Sequence, residues 1–126
     1  MTPTGVILCD DLIFTSKVSG TARAHGLAVV PAKTVEAALT HAKIVQASVV
    51  LIDLQHAGLD LGSFLTALRA LDPVPRIVAF GSHVDVKSLK AARAAGCDFV
   101  MPRSQFVAHL ETDLPTWFAG EATPAE

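Results

Sequence analysis

The chain has no tyrosine, one tryptophan and only 6% aromatic residues in a length of 126. Its two cysteines, Cys9 and Cys97, are far apart and lack Cys-x-x-Cys spacing, which excludes a disulfide-stapled scaffold and a cysteine zinc site. They read as reduced core thiols, so a cytoplasmic location is expected. There is no basic block: ten Lys and Arg against twelve Asp and Glu leave a formal charge of -2. The electrostatic footprint of a nucleic-acid binder is therefore missing. No apolar run approaches the roughly 20 residues of a membrane span, and no charged n-region leads into an apolar h-region. No Gly-x-Ser-x-Gly elbow points to a hydrolase. No glycine loop that could cradle phosphates follows the first apolar run, and Asp10-Asp11 there would repel them, which argues against nucleotide and flavin mononucleotide binding. No two histidines share the close helical spacing of a zinc site.

What is present is a strict alternation of strand and helix signals. Apolar residues make up 51% of the chain, enough to demand one continuous, well-covered core. A single domain over residues 1–120 and a loose tail over 121–126 are expected. Strands are read at Gly5 to Cys9, Leu27 to Val30 (stopped by Pro31), Ser48 to Ile52, Arg76 to Phe80 and Phe99 to Met101. Helices are read at Leu12 to His25 (closed by Gly26), Val35 to Ile44 (capped by Thr34) and Leu61 to Leu71. Two more follow, one capped by Asp85 and ended by Gly96, the other from Ser104 to about Leu114 with Pro115 beginning its end. Five such units argue for a parallel sheet covered by helices on both faces. At this length the common winding is the flavodoxin-like (βα)5 doubly wound sheet of order 2-1-3-4-5, whose crevice opens where strands 1 and 3 part.

Those two strands end in acids. Asp10 and Asp11 follow Val6-Ile7-Leu8-Cys9, and Asp53 follows Val49-Val50-Leu51-Ile52. Taken singly, each is an ordinary helix cap or turn former. Three at one rim form a shared site, in which two charges about 5 Å apart repel by roughly 3 kcal/mol at an effective dielectric of 20. Such a cluster is tolerable if one member is protonated, if water is plentiful or if a cation sits among them, and oxygen ligands with room for water suit Mg²⁺. A bound divalent ion could then steady an incoming phosphoryl group.

From about Gly5 to Phe118 the chain resembles the receiver domains of two-component response regulators. The likeness rests on Val6 to Asp11, on Leu51-Ile52-Asp53-Leu54-Gln55-His56-Ala57-Gly58-Leu59-Asp60, on Ile77 to His83, and on Ala94 to Val100. The resemblance implies that Asp53 accepts a phosphoryl group from a kinase histidine. Asp10, Asp11, Asp53 and the Gln55 backbone carbonyl would then hold Mg²⁺. It also implies a sensor histidine kinase or phosphotransfer protein as partner, and a downstream protein docking on the helix 4–strand 5–helix 5 face, where a homodimer could also form. No catalytic activity is implied beyond assistance to its own aspartyl phosphorylation and dephosphorylation.

Two hallmark positions depart from the pattern. Receivers have Thr or Ser at the end of the fourth strand; aligned without gaps, this chain has Gly81, followed by Ser82, which on a strand would face the other way. The family lysine after the fifth strand is Arg103, and no shift of register supplies a lysine; Arg keeps the charge but brings a planar fork. The aromatic switch position is Val100 or, one residue back, Phe99. Because Ser104 stands where the family has proline, no cis bond is expected between Arg103 and Ser104. Two functional readings stay open: a stand-alone receiver phosphorylated at Asp53, and a phosphorylation-independent pseudo-receiver acting as a protein-interaction module. A small-ligand sensor would need a wider crevice. Elsewhere, His56 and His83 read as solvent-facing loop residues, with a pH-sensitive contact near the acids as the alternative, and Lys87, Lys90 and Arg93 as a solvated basic stripe. Trp117 and Phe118 either cover the sheet or anchor an interface.

Overall fold

The strands β1 (Thr4–Leu8), β2 (Ala28–Ala32), β3 (Val49–Asp53), β4 (Arg76–Gly81) and β5 (Phe99–Pro102) form one parallel sheet in the order β2-β1-β3-β4-β5. Between them run α1 (Leu12–Ala24), α2 (Val35–Ile44), α3 (Leu61–Arg69) and α4 (Val86–Ala94); α5 (Arg103–Ala108) and α6 (Leu110–Ala119) follow the last strand. This is the flavodoxin-like doubly wound arrangement that the strand–helix alternation predicts. The structure, a computed structural model, describes residues 2–120, so the tail expected over 121–126 lies outside the described residues.

The period-two geometry of a strand sorts the core into two halves. Ile7, Cys9, Val49, Leu51, Val78 and Phe80 meet Phe14, Val18, Phe106, Leu110, Leu114 and Trp117 from α1, α5 and α6. Val6, Leu8, Val50, Ile52, Ile77 and Ala79 meet Ala38, Ala42, Phe64, Leu65, Leu68 and Ala92 from α2, α3 and α4. Both faces of the central strands are therefore covered, and all five residues of β3 are buried. Each fully buried Leu, Ile or Phe contributes about 1.5–3 kcal/mol, which holds the strand ends, and with them the acids, in place.

Helix starts are fixed by side chains that accept orphan N–H groups. Asp11, Thr34, Asp60 and Asp85 accept from the N–H of Phe14, Ala37, Ser63 and Ser88 respectively. Gly26 and Gly96 follow α1 and α4 at φ 74° and 89°, conformations that favour glycine.

Most element ends shift by one or two residues from the sequence pattern, and two differences have a distinct physical cause. Pro31 lies inside β2 rather than ending it, and β2 is an edge strand, where the missing N–H removes no central ladder bond. The last helix is broken at His109 (φ -108°, ψ 9°), and α6 runs through Pro115 to Ala119. The hydrogen bond lost at Pro115 is offset by burial of Leu110, Leu114 and Trp117 along one side of α6. Trp117 and Phe118 pack on the core, so they cover the sheet. The Arg103–Ser104 bond is trans, as expected; the one cis bond among the described residues is Asp72–Pro73.

Candidate functional site

Parallel pairing of β1 with β3, in the register Leu8 opposite Ile52, carries Asp10, Asp11 and Asp53 to one rim of the sheet. The three acids arrive together; Asp11 and Asp53 are hydrogen-bonded to different partners, while Asp10 stays exposed beside His56.

Asp53 is 8% exposed. Its Oδ1 accepts the Gln55 N–H at 2.9 Å and its Oδ2 accepts the Cys9 thiol at 3.4 Å. Burial first, and the neighbouring Asp53 charge in addition, push the Cys9 thiol up to about 11, against a backbone hydrogen bond from Asp11 that lowers it. The thiol is therefore a donor to the carboxylate and not a nucleophile. Cys9 is a site residue that the sequence pattern did not single out; the only signal was its place beside the acidic pair on the strand next to β3.

Asp11 performs two tasks. Its Oδ1 caps α1 through the Phe14 N–H at 3.1 Å, and its Oδ2 pairs with Arg103 Nη2 at 3.3 Å. The Arg103 guanidinium lies 4.1 Å from the centroid of the Phe14 ring and 5.9 Å from that of Phe80. Stacking of this kind is worth about 0.5–1 kcal/mol at partly exposed sites, and the half-exposed ion pair adds at most about 1 kcal/mol. Lysine has no planar face for this seat.

Asp10 is exposed, with Oδ1 3.4 Å from His56 Nε2. His56 departs from its solvent-facing reading: its side chain is only 7% exposed. The ring spans two loops. Nδ1 accepts the Gly58 N–H at 3.1 Å, which assigns the proton to Nε2, the donor to Lys33 O at 2.6 Å. A loop residue looks solvent-facing from sequence because nothing local reports the neighbouring loop after β2.

Gly81 ends β4, and its neighbour is the Gln55 side chain. A carbon added at the Cβ position of Gly81 would lie 2.6 Å from Gln55 Oε1. That amide accepts the Ser82 N–H at 2.9 Å and donates to Asp85 Oδ2 at 3.0 Å, joining the loop after β3 to the loop after β4. Asp85 also caps α4 through Ser88; the Ser88 and Gln55 hydrogen bonds hold its carboxyl below the usual carboxylate range. Ser82 lies beyond the strand, so the alternation argument about its direction does not apply. Its hydroxyl accepts the Val84 N–H at 3.3 Å, within its own loop. On β5, Phe99 packs against Trp117 and Val100 joins the opposite half of the core.

The donor set that receivers use for Mg²⁺ is present in residue type, but two of its acids, Asp11 and Asp53, are engaged elsewhere. Asp11 is divided between a helix cap and Arg103, Asp53 between Gln55 and Cys9, and Asp10 faces His56. Among the described residues no group of three His, Cys, Asp or Glu side chains is placed to hold a metal ion. As arranged, Asp11 and Asp53 would each have to give up a present partner to bind a divalent ion.

No protein-family model and no curated protein matches the chain. Solved structures do. A response regulator from Thermotoga maritima matches with a TM-score of 0.78 at 17% identity, covering 94% of this chain and 99% of its own. A chemotaxis response regulator of Vibrio cholerae matches with 0.77 at 17% identity, covering 93% and 99%. A response regulator from Burkholderia pseudomallei, solved with a phosphorylated aspartic acid, matches with 0.71 at 21% identity, covering 95% of this chain and 73% of its own. At such identities the likeness is one of architecture, and the architecture of this chain, nearly end to end, is that of the response-regulator receiver domain.

Proposed function

We propose that the chain is a receiver-type signalling module whose output runs through protein docking on the receiver scaffold and not through an aspartyl-phosphate switch. One observation carries this reading: the Gln55 side chain lies against Gly81 at the end of β4, 2.6 Å from where a β-carbon would be. Gly81 carries no hydroxyl to bond a phosphoryl oxygen, and the loop after β4 is already tied to Gln55 through Ser82 and Asp85. Docking has a surface to use. A depression of about 420 Å³ lies between α4, β5, α5 and α6, lined by Arg93, Asp98, Phe99, Gln105 and Asp113 among others. Its mixed charge and half-buried aromatic suit a protein partner. A sensor kinase or phosphotransfer protein is the partner class for the second reading, in which Asp53 accepts phosphate. That reading is favoured by the position of Asp53 at the end of β3 and by the phosphorylated aspartate of the Burkholderia pseudomallei regulator. Incubation with acetyl phosphate and Mg²⁺, followed by intact-mass measurement, separates the two. The expected result is an unchanged mass; an added phosphoryl group that disappears in Asp53→Asn would establish the second reading instead.

A further inference from the structure

We infer that Arg103 is the resident cation of the acidic rim: its guanidinium, seated on Phe14 and paired with Asp11, takes the electrostatic place that receivers give to Mg²⁺ and closes the site to divalent ions. The inference deepens the reading above, with which it shares the site, but it stands on different residues. Three formal negative charges at one rim repel one another, and an opposing charge among them lowers that cost. Here the chain supplies one from the end of β5. Pro102 ends that strand and Arg103 opens α5, so the backbone delivers the guanidinium beside the acid pair.

Three contacts fix it there. Nη2 lies 3.3 Å from Asp11 Oδ2, the guanidinium carbon is 4.1 Å above Phe14, and Phe80 lies beyond at 5.9 Å. The two rings are themselves in contact, with centroids 5.2 Å apart, and Phe80 is fully buried, so the platform is part of the core. An ion entering the rim would have to win Asp11 from both Arg103 and the α1 cap, and would then sit close to a fixed positive charge. Strongly hydrated Mg²⁺, which gives up water reluctantly, gains little from such a site. A lysine in place of Arg103 would not reproduce the arrangement, because an ammonium offers one point charge where the guanidinium both stacks and forks.

Calorimetric titration of the full chain with MgCl2, and with MnCl2 monitored by the paramagnetic signal of the free ion, tests this. Arg103→Met is expected to bind either ion about tenfold or more tightly than the unaltered chain, and the gain should vanish in Arg103→Met/Asp11→Asn. Should circular dichroism show that Arg103→Met does not fold, Arg103→Gln, which also removes the charge, takes its place under the same criterion. Equal affinities in the unaltered chain and the variant, whether both bind or neither does, overturn the inference, since Arg103 would then not be what closes the site. A chain that binds Mg²⁺ equally with and without Arg103 yet gains no phosphoryl mass leaves the docking reading standing. A chain phosphorylated at Asp53 while Arg103→Met still shows the gain in affinity leaves this inference standing.

Discussion

Cys9 ties the acid site to its own pH dependence. The thiol is 2% exposed and donates to Asp53, and burial pushes its pKa in the folded chain up to about 11, above that of an ordinary thiol. A raised folded pKa means that the unfolded chain loses this proton first as pH rises. The associated stability is therefore complete below about pH 9 and is lost as pH climbs toward about 11. Over that window the unaltered protein should lose on the order of 1–3 kcal/mol more stability than Cys9→Ala, measured by urea denaturation at each pH. Parallel pH profiles for the two proteins would show that the thiol is not held protonated by its surroundings. Nothing in the sequence announces this contact. Cys9 reads as one more apolar residue, because its role depends on β3 arriving beside it with Asp53 in reach.

At the scale of elements, the brace between the loops after β3 and β4 rests on a complementary pair. Gly81 leaves space, and Gln55 fills it with an amide that engages Ser82 and Asp85. A methyl group at Gly81 need not clash rigidly, since the amide is the far end of a flexible side chain and can swing away. What it then forfeits is its hydrogen bond to the Ser82 N–H, a loss of about 1 kcal/mol. Gly81→Ala should accordingly be more destabilising by about that amount in the unaltered protein than in a Gln55→Ala background, where only the 3.3 Å approach to Leu54 Cβ remains, with faster amide exchange over residues 82–88 in both single variants. An equal cost in the two backgrounds would mean that the pair does not interact. The same elements show where sequence pattern succeeds and where it stops. Valine- and isoleucine-rich runs bounded by Gly, Pro and Asp place all five strands, and their alternation with helices fixes the sheet order. Thr34 and Asp85 are legible as caps because capping is local. The break at His109 is not legible, since Phe106, Leu110, Leu114 and Trp117 keep apolar spacing across it. Pro115 misleads for a related reason: a proline signals a helix end unless tertiary burial outweighs the missing bond, and burial is a property of the fold.

In the whole molecule, one sheet separates the two halves of the core, and the rim acids depend on both. Phe14, Phe80, Phe106 and Trp117 form a continuous aromatic chain on one side, with successive contacts of 5.2, 4.5 and 5.6 Å between centroids. Phe64, Leu65 and Leu68 of α3 fill the other side beneath Val50 and Ile52. The strands are shared: Val49, Leu51, Val78 and Phe80 face one half, while Val50, Ile52, Ile77 and Ala79 face the other. A strand that leaves one half must leave both, so the halves should melt as a unit. Trp117 reports on the first half alone, being the single tryptophan and 1% exposed. Phe106→Ala beside it and Phe64→Ala across the sheet should each lower stability by about 3–5 kcal/mol. In both variants the tryptophan fluorescence and far-ultraviolet dichroism transitions should coincide in urea. If Phe64→Ala instead loses helix signal at denaturant concentrations where Trp117 stays buried, the halves unfold separately. The rim that carries Asp10, Asp11 and Asp53 would then be tied to the stability of only one of them.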